Sequence, residues 1–219
     1  MHRLSAFWDS TVGKKIVMGL TGIVLVGFVL AHMAGNLQIF LGPDKFNGYS
    51  RFLQHDIIEL TWLLRAGLLV SVVLHVTSAI QLTLRNRAAR PTAYVRLEPQ
   101  VSTWASQTMR WGGFYLLAFI PYHLMHFTLG WVHPAFVRDQ AYGNVMIGFQ
   151  VTWVVFFYLG AMFFLALHLY HGVWAMFRTL GLARPSTEPL HRQLALVIAI
   201  VVSVGFSLVP LSVALGLVH

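Results

Sequence analysis

The feature that most restricts this chain's fold is a set of apolar runs too long for a water-soluble core. Five of them qualify, at about 16–41, 60–84, 110–132, 151–177 and 193–218. A bilayer core about 30 Å thick is crossed by roughly 20 apolar residues in a helix. Backbone polar groups in lipid must be satisfied internally, so such runs can only be helices. The expected fold class is an all-α membrane protein, with the 219 residues forming one membrane domain of five transmembrane helices, numbered I to V. Composition agrees: the chain is 57% hydrophobic and 10% charged, against roughly 25% charged in a soluble domain. The first run is too long for a signal-peptide core and leads straight into more membrane pattern, so it is kept as helix I.

The net charge of +8 does not indicate nucleic acid, because the basic residues sit at helix ends and form no continuous tract. They report orientation instead. Arg3, Lys14 and Lys15 precede helix I. Arg85, Arg87, Arg90, Arg96 and Arg110 lie in the second connection, and Arg178, Arg184 and Arg192 in the fourth. The first and third connections carry only Lys45, Arg51 and Arg138, which makes eleven against three, with Arg65 left inside helix II. The positive-inside rule then places the N-terminus in the cytoplasm and the C-terminus outside.

The connections carry little chemistry. Residues 42–56 begin with turn residues and then read as a short amphipathic surface helix, with Phe46, Tyr49, Phe52 and Leu53 on one side. Residues 85–100 form a basic loop with two prolines, and 184–189 another turn on the same side. No phosphate-cradling glycine motif, nucleophile elbow or carboxylate pair occurs in them. Cysteine is absent, which excludes disulfides, thiolate-held iron–sulfur clusters and covalent c-type haem. A metal would have to be held by histidine or oxygen.

Six of the eleven histidines fall within the spans: His32 in helix I, His75 in II, His123 and His126 in III, His168 and His171 in IV. Desolvation makes ionisable groups scarce inside membranes, so each marks a candidate site. A lone histidine is readily explained as a hydrogen-bonding partner between helices. Four successive helices that each supply one point further, because a neutral imidazole is a natural axial ligand for haem iron and two are needed, one on each face.

Depth suggests the pairing. Counting from the basic anchors, His32 is 17 residues from Lys15 and His75 is 10 from Arg85, or roughly 25 Å and 15 Å at 1.5 Å per residue. His123 is 13 residues from Arg110 and His168 is 10 from Arg178, roughly 20 Å and 15 Å. An inner pair of His75 with His168 and an outer pair of His32 with His123 follow. His171 is seven residues from Arg178, roughly 10 Å, a worse match to His75. His126 is 16 residues from Arg110, roughly 24 Å, and by depth alone is slightly preferred over His123. His126 and His171 therefore stand as second choices.

Gly19, Gly22, Gly27 and Gly35 accompany His32 and suit either close helix packing or a flat macrocycle against the backbone. Trp62, Trp104, Trp111, Trp131 and Trp153 near span ends read as interfacial anchors. Asp56, Glu59 and Arg65 near the outer end of helix II are compatible with a quinone, a proton path, a propionate or plain solvation. The quinone-site residues stay open.

The segments HMAGN (32–36), KFNGYSRFL (45–53), LHVTSAIQLTLRNRAARP (74–91), YHLMHFTLG (122–130) and LHLYHGVWAMFRTLGL (167–182) resemble the diheme cytochrome b membrane subunit of succinate:quinone oxidoreductase, that is, succinate dehydrogenase or fumarate reductase with one five-helix anchor. The resemblance implies two haem b groups in a bundle of helices I to IV, ligated by His32 with His123 and by His75 with His168. It favours His123 over His126, and gives His126 and His171 no role. It implies a flavoprotein and an iron–sulfur subunit docked on the cytoplasmic face of a bacterial inner membrane, with electrons passing through the haems to a quinone, usually menaquinone. The succinate-oxidising site would belong to the flavoprotein, since this chain has no flavin or dicarboxylate motif. The nearest alternative is the cytochrome b anchor of another quinone-linked dehydrogenase, such as a hydrogenase or formate dehydrogenase. A histidine-box di-iron oxygenase would cluster its histidines near one face, and a transporter with proton-relaying histidines would carry no haem.

Overall fold

The computed structural model of the protein describes residues 2–89 and 104–218. Among them every regular element is helical, in the order α1 (His2–Asp9), α2 (Thr11–Leu37), α3 (Pro43–Arg51), α4 (Ile58–Ala88), α5 (Trp104–His123), α6 (Ala141–Gly148), α7 (Thr152–Thr179) and α8 (Glu188–Ala214). Most of the basic loop at 85–100, including Arg90 and Arg96, lies outside the described residues.

Local chemistry sets the helix ends. Ser10 separates α1 from α2 and caps the latter, its hydroxyl accepting from the Gly13 N–H at 2.8 Å. After Leu37 the chain tightens into a 3₁₀ turn, Gln38–Leu41, and leaves helix at Gly42, whose φ of 92° disfavours any residue with a Cβ. Proline opens α3 and α8 in the first turn, where its missing N–H costs nothing. Gly181, with φ of 73°, ends the last turn of α7.

Among the described residues four helices are long and apolar enough to cross a membrane: α2 with its 3₁₀ extension (Thr11–Leu41), α4, α7 and α8. The third expected span is helical too, since α5 continues into a π-turn at Leu124–Thr128, but it does not reach the same apolarity. Ser106, Gln107, Thr108 and Arg110 occupy its first turns, and Tyr115, Tyr122, His123 and His126 its far part. Of these, Tyr122 packs against His126, while Tyr115 donates to Phe157 O on α7. Lipid suits the outside of the bundle: Leu20, Val24, Leu63, Leu69, Phe156 and Val197 are among many large apolar side chains left exposed. Trp62, Trp111, Trp131 and Trp153 are also exposed, whereas Trp174 is buried.

The closest packing joins α2 to α4 on one side, and α5 to α7 and α7 to α8 on the other; α2 then touches α7 and α8 across the seam. Small residues permit this approach. Ala161, Ala195 and Ala199 are almost fully buried, and Met33 of α2 fills the notch left by Gly205 of α8. Lys15, Arg178 and Arg192 mark one end of the bundle, here the basic end. The opposite, far end is closed by α3 and α6. The expected surface helix exists, but only half of its apolar side docks. Phe46 is buried, and the Tyr49 ring lies where a Cβ on Gly35 would stand 2.8 Å from Cε1, while Phe52 is exposed. A π-turn at Phe52–Asp56 rotates that residue outward. Helix α6 was not expected from the sequence, and Asn144 holds it in place: its Oδ1 accepts from Val137 N–H at 2.9 Å and its Nδ2 donates to Val137 O at 2.7 Å.

Candidate functional site

Four helices carry histidines into the interior, and the structure brings one from each together in two pairs. His32 of α2 and His123 of α5 approach at 5.8 Å between ring centroids, with planes at 78°. His75 of α4 and His168 of α7 approach at 6.1 Å and 53°. Each pair links two helices from opposite sides of the seam, and each ring is partly, not fully, buried.

The near pair, toward the basic end, is oriented through the backbone. His75 Nδ1 lies 3.1 Å from the Met18 carbonyl oxygen on α2. A carbonyl can only accept, so the proton sits on Nδ1 and Nε2 keeps its lone pair. Thr21 Oγ1 is 3.3 Å from the same nitrogen, while its own hydroxyl donates back to Val17 O at 2.8 Å. Gly22 lies beside the same ring, where a Cβ would stand in ordinary contact with His75 Cε1 at 3.6 Å. His168 Nδ1 is buried without a hydrogen-bond partner.

The far pair is set among rings. Phe28, one turn before His32, stacks on it at 5.2 Å and 11°, and Phe206 of α8 lies 5.6 Å away. Asn36 Nδ2 donates to His32 O at 2.8 Å and stands 3.3–3.4 Å from both ring nitrogens. Phe119 stacks on His123 at 5.6 Å and 25°, and His123 Nδ1 is 3.2 Å from the Tyr158 hydroxyl.

The two second-choice histidines are placed differently. His126 is 0% exposed, and a Cβ on Gly148 would stand 3.0 Å from its Nε2, so that nitrogen faces packed protein. Its ring is 5.1 Å from that of His133, which donates from Nε2 to Asn144 O at 2.8 Å. His171 lies edge-on to Trp174 at 5.8 Å and, with Lys15, Ser106, Trp174 and Arg178, lines a cavity of about 450 Å³ at the basic end. Its Nδ1 and the Trp174 indole nitrogen are buried without hydrogen-bond partners. Arg178 and Arg192 flank the Trp174 ring at 4.9 and 4.1 Å, and both bond Glu188, at 3.2 and 2.9 Å.

Asp56, Glu59 and Arg65 do not join either pair. All three are exposed, and the Arg65 guanidinium lies 5.1 Å from the Trp62 ring centre. Sequence reasoning missed Tyr158 and the Met18 carbonyl. A tyrosine ten residues before His168 in an otherwise apolar run was the available signal for the first, whereas a backbone acceptor leaves none.

Among the described residues no three His, Cys, Asp or Glu side chains are grouped to hold a bare metal ion. The arrangement instead offers two separate two-nitrogen sites. No family model matches the chain, and no curated protein or solved structure is significantly similar to it.

Proposed function

We propose that this chain is the membrane-anchoring cytochrome b subunit of a succinate:quinone oxidoreductase, holding two b-type haems and conducting electrons to a quinone. The observation that carries the proposal is the pairwise approach of four histidines from four different helices. Two imidazoles that ligate one metal from opposite sides stand about 6 Å apart between ring centres, because each metal–nitrogen bond is about 2 Å and each nitrogen lies about 1 Å from its ring centre. Separations of 5.8 and 6.1 Å fit that requirement, and His75 keeps its Nε2 free to ligate. His32 with His123 and His75 with His168 are the proposed axial sets, and haem iron in such a site exchanges one electron at a time.

The residues around them supply orientation and exclusion. Met18 O holds the His75 ring in one tautomer, in the manner of partners behind metal-ligating histidines. Phe28, Phe119 and Phe206 keep water from the far pair. At the basic end Lys15 and Arg178 offer cations to carboxylates. The absence of a three-residue cluster among the described residues weighs against a histidine-box di-iron enzyme.

On this reading α5 with its π-turn is the fifth span and the basic end faces the cytoplasm of a bacterial inner membrane. A flavoprotein and an iron–sulfur subunit dock there, and the quinone, by the family resemblance usually menaquinone, is reached through the two haems. The deciding experiment is haem quantification as the pyridine haemochrome on the purified complex, with identification of co-purifying subunits. Two equivalents of non-covalent protohaem with a flavoprotein are expected. One equivalent or none in fully loaded protein sinks the diheme reading. Two equivalents with a nickel–iron or molybdenum subunit assign the chain to another dehydrogenase.

A further inference from the structure

Tyr158 of α7 has no part in the proposal above. Its ring is 6% exposed and packs edge-on against Phe119 and Phe149, each at 4.9 Å. Its hydroxyl meets two imidazoles at once, lying 3.2 Å from His123 Nδ1 and 3.0 Å from His126 Nδ1. A phenol has one proton to donate, and a neutral imidazole carries its proton on one nitrogen only. Both contacts become hydrogen bonds only when the hydroxyl donates to one Nδ1 and accepts an Nδ1–H from the other. The histidine that receives the phenol proton carries its own on Nε2, and the other has a bare Nε2. The shared hydroxyl thus holds His123 and His126 in opposite tautomers, and only one of them can offer Nε2 to a metal.

The surroundings select which. His126 Nε2 is buried without a hydrogen-bond partner and packed against Gly148, where a Cβ would stand 3.0 Å away, so no metal can reach it. His123 is only partly buried and its ring faces His32 across 5.8 Å.

We propose that Tyr158 is the positioning residue of the far pair, with His126 as the acceptor that aligns it. The Tyr158 hydroxyl donates to His126 Nδ1, its oxygen accepts from His123 Nδ1–H, and His123 Nε2 is left as the ligating nitrogen. This explains a buried histidine that the pairing itself leaves unused. The identity of the ligated group rests on the proposed function; the opposed tautomers do not.

Two measurements test this. In the purified complex Tyr158→Phe keeps the ring and removes the hydroxyl. The low-spin EPR signal of the far haem should shift, and that haem should be held 10–100-fold more weakly in competition with apomyoglobin, with the near haem unchanged in both. His126→Phe should keep two haems and shift the same signal. An unaltered far-haem signal and retention in Tyr158→Phe overturns the proposal. The second measurement needs no haem: nitrogen NMR of the full chain labelled in histidine should find the His123 proton on Nδ1 and the His126 proton on Nε2. That opposition should disappear in Tyr158→Phe. Protons on the same nitrogen of both rings in the parent chain overturn the proposal as well. Opposed tautomers in a chain that takes up no haem uphold the tautomer assignment and defeat the haem reading, so the two failures are told apart.

Discussion

The two histidine pairs have nearly the same spacing and very different surroundings. The far pair lies in a closed aromatic region, roofed by α3 and α6, with His126, Phe149 and Tyr158 packed beside it. The near pair adjoins an open cavity of about 450 Å³ lined by Lys15, Arg178, His171 and Trp174, with two buried nitrogens that lack partners. Unsatisfied polar atoms are costly in an apolar interior and are usually matched by a partner. Both ends hold such atoms, the Tyr122 hydroxyl and His126 Nε2 at the far end and His171 Nδ1 and the Trp174 indole nitrogen at the near end, but at the near end they border an open cavity that Lys15 and Arg178 also line. On the proposed reading, the open near end is where the iron–sulfur subunit would dock.

Removing a ring tests the comparison most severely. On the proposed reading His168→Ala should abolish the near haem, retain the far one and stop electron entry from the iron–sulfur subunit. His171→Ala should retain both, because it borders the cavity and does not face His75. Reduced-minus-oxidised spectra decide, and haem loss in the His171 variant with retention in the His168 variant reverses the assignment. A methyl group at Gly148 probes how closed the far end is. It would stand 3.0 Å from His126 Cε1 and Nε2 and from Phe127 Cε1, so Gly148→Ala should lower stability by about 1–3 kcal/mol, the usual cost of overpacking. Gly172→Ala, beside His171, meets nothing within 4 Å and should change the thermal midpoint little; equal losses would erase the distinction between the ends. The smallest effect is expected at the exposed His55–Asp139 pair, 3.1 Å apart. Asp139→Asn should cost about 1 kcal/mol or less, as exposed ion pairs do, measured by thermal unfolding in detergent.

Much of this was legible in the sequence because the physics of a bilayer leaves few choices. A charge-poor run of the right length must be a helix, and a fixed rise per residue converts spacing into depth, which is how His75 meets His168. Depth does not resolve residues one turn apart. His123 and His126 differ by three positions, and depth even leaned toward His126. Tertiary packing separates them, since only His126 is sealed by Gly148 and Phe127. The run at 110–132 reads as a span, and α5 falls short of the apolarity of the other four because Tyr122, His123 and His126 in its far part serve neighbours in the bundle. The π-turns had no readable signal. Helix α6 was hidden in a connection, because Asn144 stabilises it through contacts with Val137 and His133 that only the folded chain provides.

The seam between α2–α4 and α5–α7–α8 has a consequence for how this chain matures. Both ring pairs straddle it, with His32 and His75 on one side and His123 and His168 on the other. Whatever those nitrogens ligate is also a rivet between two half-bundles that otherwise meet mainly where α2 touches α7 and α8. A ligand held at a thousand times its dissociation constant adds about 4 kcal/mol to the assembled state. If the proposed haems are those ligands, a newly inserted chain without them would be a looser object, with both halves formed and the joint between them free to breathe. Less stable chains are removed faster by cellular proteases, so on the proposed reading the supply of haem would set how much of this protein survives.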